Sequence, residues 1–231
     1  MKIKSFGCSF LYGSELSWTE YENDLLSGAH PSRPTWPALI ANHYSLPYEN
    51  HAWPGIGNLR ILEQVLTQAK LDDPAFFFIN WSWADRFDYI DPVTEKWNTF
   101  LPKDNKSNTY YKNFYSDYQV RLTNLSYINT AITILNSKNI AFCMTAIDPT
   151  LFEAINPDWK DPYALTMLQD SVHPCMTWFE GKDFLSWSQD KNLAISENWH
   201  PLEEAHRAAA DYLITIFDKQ SIVDPAQRVR A

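Results

Sequence analysis

Residues 75–80, Ala-Phe-Phe-Phe-Ile-Asn, put five apolar side chains in a row with no polar alternation. A strand that shows one face to water alternates apolar and polar residues. An unbroken apolar run this short instead suits a strand covered on both faces, as in the interior of a parallel sheet. Ile140 to Thr145 (Ile-Ala-Phe-Cys-Met-Thr) repeats the pattern, and Lys2 to Gly7 reads as a further short strand. Residues 47–52 supply another. Helical spacing separates these runs. Trp36, Leu39, Ile40 and His43 mark a helix over Trp36–Tyr44, with Pro37 in its first turn, where proline is tolerated. Leu59, Leu62, Val65, Leu66 and Ala69 mark a second helix. Phe114, Tyr118, Leu122, Leu125, Ile128, Ile132 and Leu135 predict one long helix over Tyr110–Leu135, and a last helix is expected from about Pro201 to Phe217. Strands alternating with helices predict an α/β fold, a three-layer α/β/α sandwich around a mostly parallel central sheet.

The 231 residues contain no repeat, low-complexity tract or linker-like change of composition, so one domain over 1–231 is expected. The polar and aromatic stretch at about 81–108 lacks periodicity and reads as an inserted loop. Apolar residues make up 45% of the chain, enough for a substantial core without disulfide or metal staples. A net charge of −9 argues against nucleic acid or anionic membrane as a partner, because both demand clustered Lys and Arg. Cys8, Cys143 and Cys175 are odd in number and lie far apart, which fits a reducing compartment. Met1 to Gly13 lacks the apolar core of a signal peptide, and no run of 18 apolar residues occurs, so a cytoplasmic location is expected. The oligomeric state is not encoded in any feature of this kind.

In a parallel α/β sheet, ligands bind at the carboxyl ends of the strands. That edge should gather Gly7-Cys8-Ser9, Pro54-Gly55, Asn80-Trp81-Ser82 and Ala146-Ile147-Asp148. Ser9 follows the first strand in a tight Gly-Cys-Ser-Phe turn that opens a helix, where its backbone N–H can face a developing oxyanion. An isolated serine in such a place is usually an ordinary helix cap. Here three further blocks accompany it in order: Asn50-His51-Ala52-Trp53-Pro54-Gly55-Ile56-Gly57-Asn58, then Asn80-Trp81-Ser82-Trp83-Ala84-Asp85-Arg86, then Glu197-Asn198-Trp199-His200-Pro201.

With Phe6-Gly7-Cys8-Ser9-Phe10, these blocks resemble those of the GDSL/SGNH hydrolase family, whose fold is a flavodoxin-like α/β/α sandwich. The resemblance implies a serine hydrolase with Ser9 as nucleophile and His200 as general base. Glu197 stands where the family's Asp-x-x-His pair has its aspartate, and would orient His200. Asn198 is the alternative for that task. The resemblance implies that Ser9 and Gly55 give backbone N–H groups to the oxyanion. The third block departs from the family's Gly-x-Asn-Asp, so Ser82, Asn80 or Asn58 would have to replace the missing asparagine donor. Trp53, Asn58, Trp81, Trp83 and Trp199 flank the blocks and are candidates for substrate contact, since flat aromatic faces suit sugar rings or acyl chains.

The expected activity is hydrolysis of a short-chain acyl ester, an O-acetyl group on a carbohydrate being one candidate, with a small-molecule or carbohydrate ester as substrate. No metal and no organic cofactor are implied. An O-acyltransferase using the same residues, or a catalytically silent SGNH-like binding protein, are the alternatives. Cys8 reads as a small buried residue, His173-Pro174-Cys175 as loop packing, His206 as a surface or packing histidine, and Asp85-Arg86 as a substrate contact or a local ion pair.

Overall fold

A computed structural model describes residues 1–16, 34–70, 74–105, 108–156, 159 and 162–220. Most of the loop expected between Tyr12 and Thr35 lies outside the described residues. The central sheet has four parallel strands, β1 (Lys2–Gly7), β2 (Tyr48–Asn50), β3 (Ala75–Trp81) and β6 (Ala141–Ala146), in the order β2-β1-β3-β6. Beyond β6, Met176 forms a single parallel bridge to Met144, and the Thr177 N–H donates to the Met144 carbonyl at 2.7 Å. That segment occupies a fifth position in the sheet.

The apolar run of β3 is buried along its whole length, as its composition requires. Successive side chains point to opposite faces. Phe76 and Phe78 meet Trp36 of α2 (Trp36–His43) and Phe217 of α8 (Glu203–Gln220), with ring centroids 5.0–5.9 Å apart. Phe77 faces the other way, 4.8 Å from Phe6. On that face Lys4 is fully buried, and its Nζ donates to Gln68 of α3 (Asn58–Gln68) at 3.0 Å. Helices α3 and α5 (Asp117–Ser137) form this second layer. The three-layer sandwich expected from the sequence is what the chain adopts.

Two elements differ from expectation. The long helix is broken: α4 (Asn108–Asn113) stops, and α5 starts after Ser116, whose backbone is extended at φ −147°. Apolar spacing runs across the break, but Phe114, which lies in it, is 66% exposed and not part of a buried helix face. The inserted stretch is not all loop, since β4 (Phe87–Ile90) and β5 (Trp97–Phe100) pair as an antiparallel hairpin. No helix among the described residues is long and apolar enough to cross a membrane.

Candidate active site

β1 ends at Gly7, where a side chain would meet the Asn80 carbonyl at 2.9 Å; only glycine lets the two strand ends come so close. Cys8 is fully buried, and Ser9 opens the one-turn helix α1 (Ser9–Tyr12), closed by Gly13 in the left-handed conformation at φ 78°. Ser9 is 7% exposed, and its Oγ contacts Cys8 Sγ at 3.9 Å. As the first residue of a helix, Ser9 has no intrahelical acceptor for its N–H.

Asn50, at the end of β2, holds this turn in place. Its Nδ2 donates to the Leu11 carbonyl at 2.8 Å, and its Oδ1 accepts from the Ala52 N–H at 2.9 Å. The Trp53 N–H donates to the Gly7 carbonyl at 3.0 Å, so the second block lies against the first. Gly55 then takes φ 78° with open space around it, a conformation other residues reach only with strain.

The loop carrying Gly55 is clamped by the insertion. Arg86 Nη1 donates to the Ile56 carbonyl at 3.1 Å and to Ser82 Oγ at 2.9 Å. Helix α3 has no cap from its own N-cap residue, Gly57. Asp88 of β4 caps it instead, accepting from the Gly57 N–H at 2.8 Å and the Arg60 N–H at 2.9 Å, while Thr99 Oγ1 donates to it at 2.6 Å. A side chain at Gly57 would meet Asp88 Oδ2 at 2.8 Å.

His200 lies in a tight loop beside this assembly. Its ring meets Phe10 edge-on, with centroids 5.6 Å apart, so it adjoins the helix that Ser9 opens. Ser196 organises the loop, its Oγ accepting the N–H groups of Asn198 at 3.2 Å and His200 at 3.1 Å. His200 Nδ1 sits 3.1 Å from Glu15 Oε2. The carboxylate at this nitrogen therefore comes from the amino-terminal block. Glu197, expected in that role, is exposed and makes no hydrogen bond or ion pair among the described residues. A carboxylate three residues before the histidine was the expectation, but the turn at 196–200 sends the Glu197 side chain outward. Asn198, the alternative, contacts Glu15 and not the imidazole. Hydrogen bonds from Ser196, Asn198 and His200 hold the Glu15 carboxyl below its usual range. No hydrogen bond joins Ser9 Oγ to His200 among the described residues.

The expected third oxyanion donors are placed elsewhere. Asn80 is fully buried, and its Nδ2 donates to Thr145 Oγ1 at 2.8 Å across the sheet. Ser82 is fully buried too, under the Arg86 guanidinium. Asn58 is a tie and not a ligand. Its side chain accepts from the Ser82 N–H at 2.6 Å and donates to the Ser82 carbonyl at 3.1 Å and to Asn124 Oδ1 at 2.8 Å. The three side chains for which an oxyanion role was expected, Asn58 also for substrate contact, thus make their hydrogen bonds within the protein.

The tryptophans part company as well. Trp81 lies in the core at 0% exposure. Trp53 and Trp199 are exposed, the first packing edge-on to Tyr12 with centroids 6.1 Å apart. Trp83 lines a separate cleft of about 530 Å³ with Asp85, Arg121, Asp148 and Trp159. Asp148, at the end of β6, accepts the Ala84 N–H at 2.8 Å and the Thr150 N–H at 3.0 Å. Burial, and then the neighbouring Asp148, raise the Asp85 carboxyl above its usual range. His206 is buried in the core, where Nδ1 accepts the Trp36 N–H at 3.1 Å.

Solved structures share this arrangement of strands and helices over nearly the whole chain. A lipolytic protein of the G-D-S-L family from Veillonella parvula aligns over 95% of this chain and 99% of its own, with a TM-score of 0.51 and 14% identity. The fold is that of the GDSL/SGNH hydrolases. The psychrotrophic esterase EstA from Pseudoalteromonas sp. superposes on this GDSL/SGNH-like fold with a TM-score of 0.51 at 10% identity, covering 95% of this chain and 97% of EstA. TesA does so with a TM-score of 0.51 at 12% identity, covering 95% and 99%. No protein-family model and no curated protein sequence matches the chain.

Proposed function

We propose that the chain is a serine esterase in which Ser9 is the nucleophile and His200 the general base. The observation that carries this reading is the placement of His200. Its Nδ1 is engaged by a carboxylate at 3.1 Å while its ring packs on Phe10, the residue after Ser9. A carboxylate accepts only from an N–H, so the neutral imidazole carries its proton on Nδ1 and leaves the Nε2 lone pair for a proton from substrate or nucleophile.

In the proposed reaction Ser9 Oγ attacks the ester carbonyl and its proton passes to Nε2. The carbonyl oxygen becomes an oxyanion facing the N–H groups of Ser9 and Gly55. The bond to the alcohol oxygen then breaks, and that oxygen takes the proton back from Nε2. Water, deprotonated by the same nitrogen, cleaves the acyl-serine and releases the acid. A short acyl ester of a carbohydrate is the substrate class in this reading, supported by the exposed faces of Trp53, which packs on Tyr12 of α1, and of Trp199, next to His200 in the chain.

Ser9→Ala is expected to lower p-nitrophenyl acetate hydrolysis about 10⁴-fold or more. The parent protein, and not the variant, should be labelled by a fluorophosphonate at Ser9; parental activity in the variant would refute the assignment. One observation favours a second reading, a binding protein without catalysis: the Ser9 hydroxyl faces Cys8 Sγ and is not bonded to His200. Catalytic hydrogen bonds often tighten only once substrate is bound. Absence of labelling together with measurable sugar binding decides for the second reading.

A further inference from the structure

We infer that Glu15 is the positioning carboxylate of this site, so that the group orienting His200 lies six residues after the nucleophile in the chain instead of three residues before the histidine. The inference rests on the reading of Ser9 and His200 given above. It starts from a clasp between two distant loops. Glu15 Oε2 faces His200 Nδ1 at 3.1 Å, and Glu15 Oε1 accepts from Asn198 Nδ2. The Ser196 hydroxyl holds the second loop in shape by accepting the N–H groups of Asn198 and His200.

Both loops hold strained backbone at the meeting point. Glu15 has φ 67° and Trp199 has φ 64°, the left-handed region that non-glycine residues avoid. Strain of this kind persists where surrounding contacts over-determine it, and it clusters at functional sites. At Trp199 that conformation also closes the tight turn between Ile195 and Pro201, which form an antiparallel bridge. What it achieves at Glu15 is to turn the carboxylate from the end of α1 toward the imidazole.

The arrangement has a chemical consequence. Anchored on the turn that carries Ser9, the carboxylate ties the base to the nucleophile's own segment, so movement of one loop carries both. Among the described residues, the other titrating groups near the ring are Glu197, which is exposed, and buried His206 with Glu203 beside it on α8.

The test compares the parent with Glu15→Gln, Glu15→Asp, Glu197→Gln and Ser9→Ala. It measures kcat and KM for p-nitrophenyl acetate across the pH range, thermal melting, and the His200 tautomer by nitrogen NMR. Glu15→Gln is expected to lower kcat about 10²-fold or more at nearly unchanged KM. Its acidic limb should move to lower pH, because an imidazolium without its anion gives up the proton more readily. Its melting should stay parental, Glu15→Asp should recover part of the loss, and Glu197→Gln should behave as the parent. Parental kcat in Glu15→Gln, or collapse in Glu197→Gln, overturns the inference. Full activity in Ser9→Ala would sink the esterase reading alone. The tautomer then decides for Glu15: an Nδ1–H form lost in Glu15→Gln supports the inference, and one retained unchanged overturns it.

Discussion

At the scale of single residues, the chain spends several polar groups on holding backbone and not on ligands. Asn58 is the clearest case: at 1% exposure its side chain makes three hydrogen bonds to Ser82 and Asn124. Asn58→Ala is expected to cost about 2–4 kcal/mol in urea unfolding, since buried partners left unsatisfied each cost about 1–3 kcal/mol. His206 makes a pH prediction. Burial lowers its pKa to about 3, so the folded protein holds the ring neutral as an acceptor for the Trp36 N–H. The unfolded chain takes up a proton below its ordinary pKa of about 6.5. Its stabilising contribution is therefore complete above that pH and is lost as pH falls from there toward about 3. Unfolding measured across that window should show a shallower pH dependence in His206→Asn than in the parent; equal slopes would contradict the assignment.

Elements were legible where one kind of signal dominated. The apolar run of β3 left no other place for it than the middle of a sheet, that of β6 marked a strand that here ends the four-stranded order, and the turn at Gly7-Cys8-Ser9 followed from strand, glycine and helix start together. The broken helix was not legible, because Phe114, in the break, and Tyr118, beyond it, keep the spacing of four. The carboxylate at His200 was hidden for a different reason: 185 residues separate the partners, and local spacing pointed to Glu197. Asp88 belongs to this scale too, as a cap supplied to α3 by another element. Asp88→Ala should cost about 1–2 kcal/mol as a lost cap. It should also slow ester hydrolysis through the Gly55 loop, which a kcat loss at constant KM would reveal; parental kcat would separate the clamp from the site.

Across the whole molecule, α8 closes one face of the sheet, covering Phe76 and Phe78 with Phe217 and seating His206 beneath Trp36. Truncation after Leu202 should therefore leave a chain that has lost near-ultraviolet circular dichroism and binds the dye ANS. A truncated chain with native near-ultraviolet signal would show that this face tolerates exposure. The two lateral rims of the sheet carry a last consequence. One rim is β2, only three residues long. The other is shielded where Met176 and Thr177 lie against β6. Long unpaired rows of N–H and C=O groups are what recruit foreign strands. A protein finished in this way gives passing chains little to add to, so crowding and concentration should not drive it to grow by strand addition.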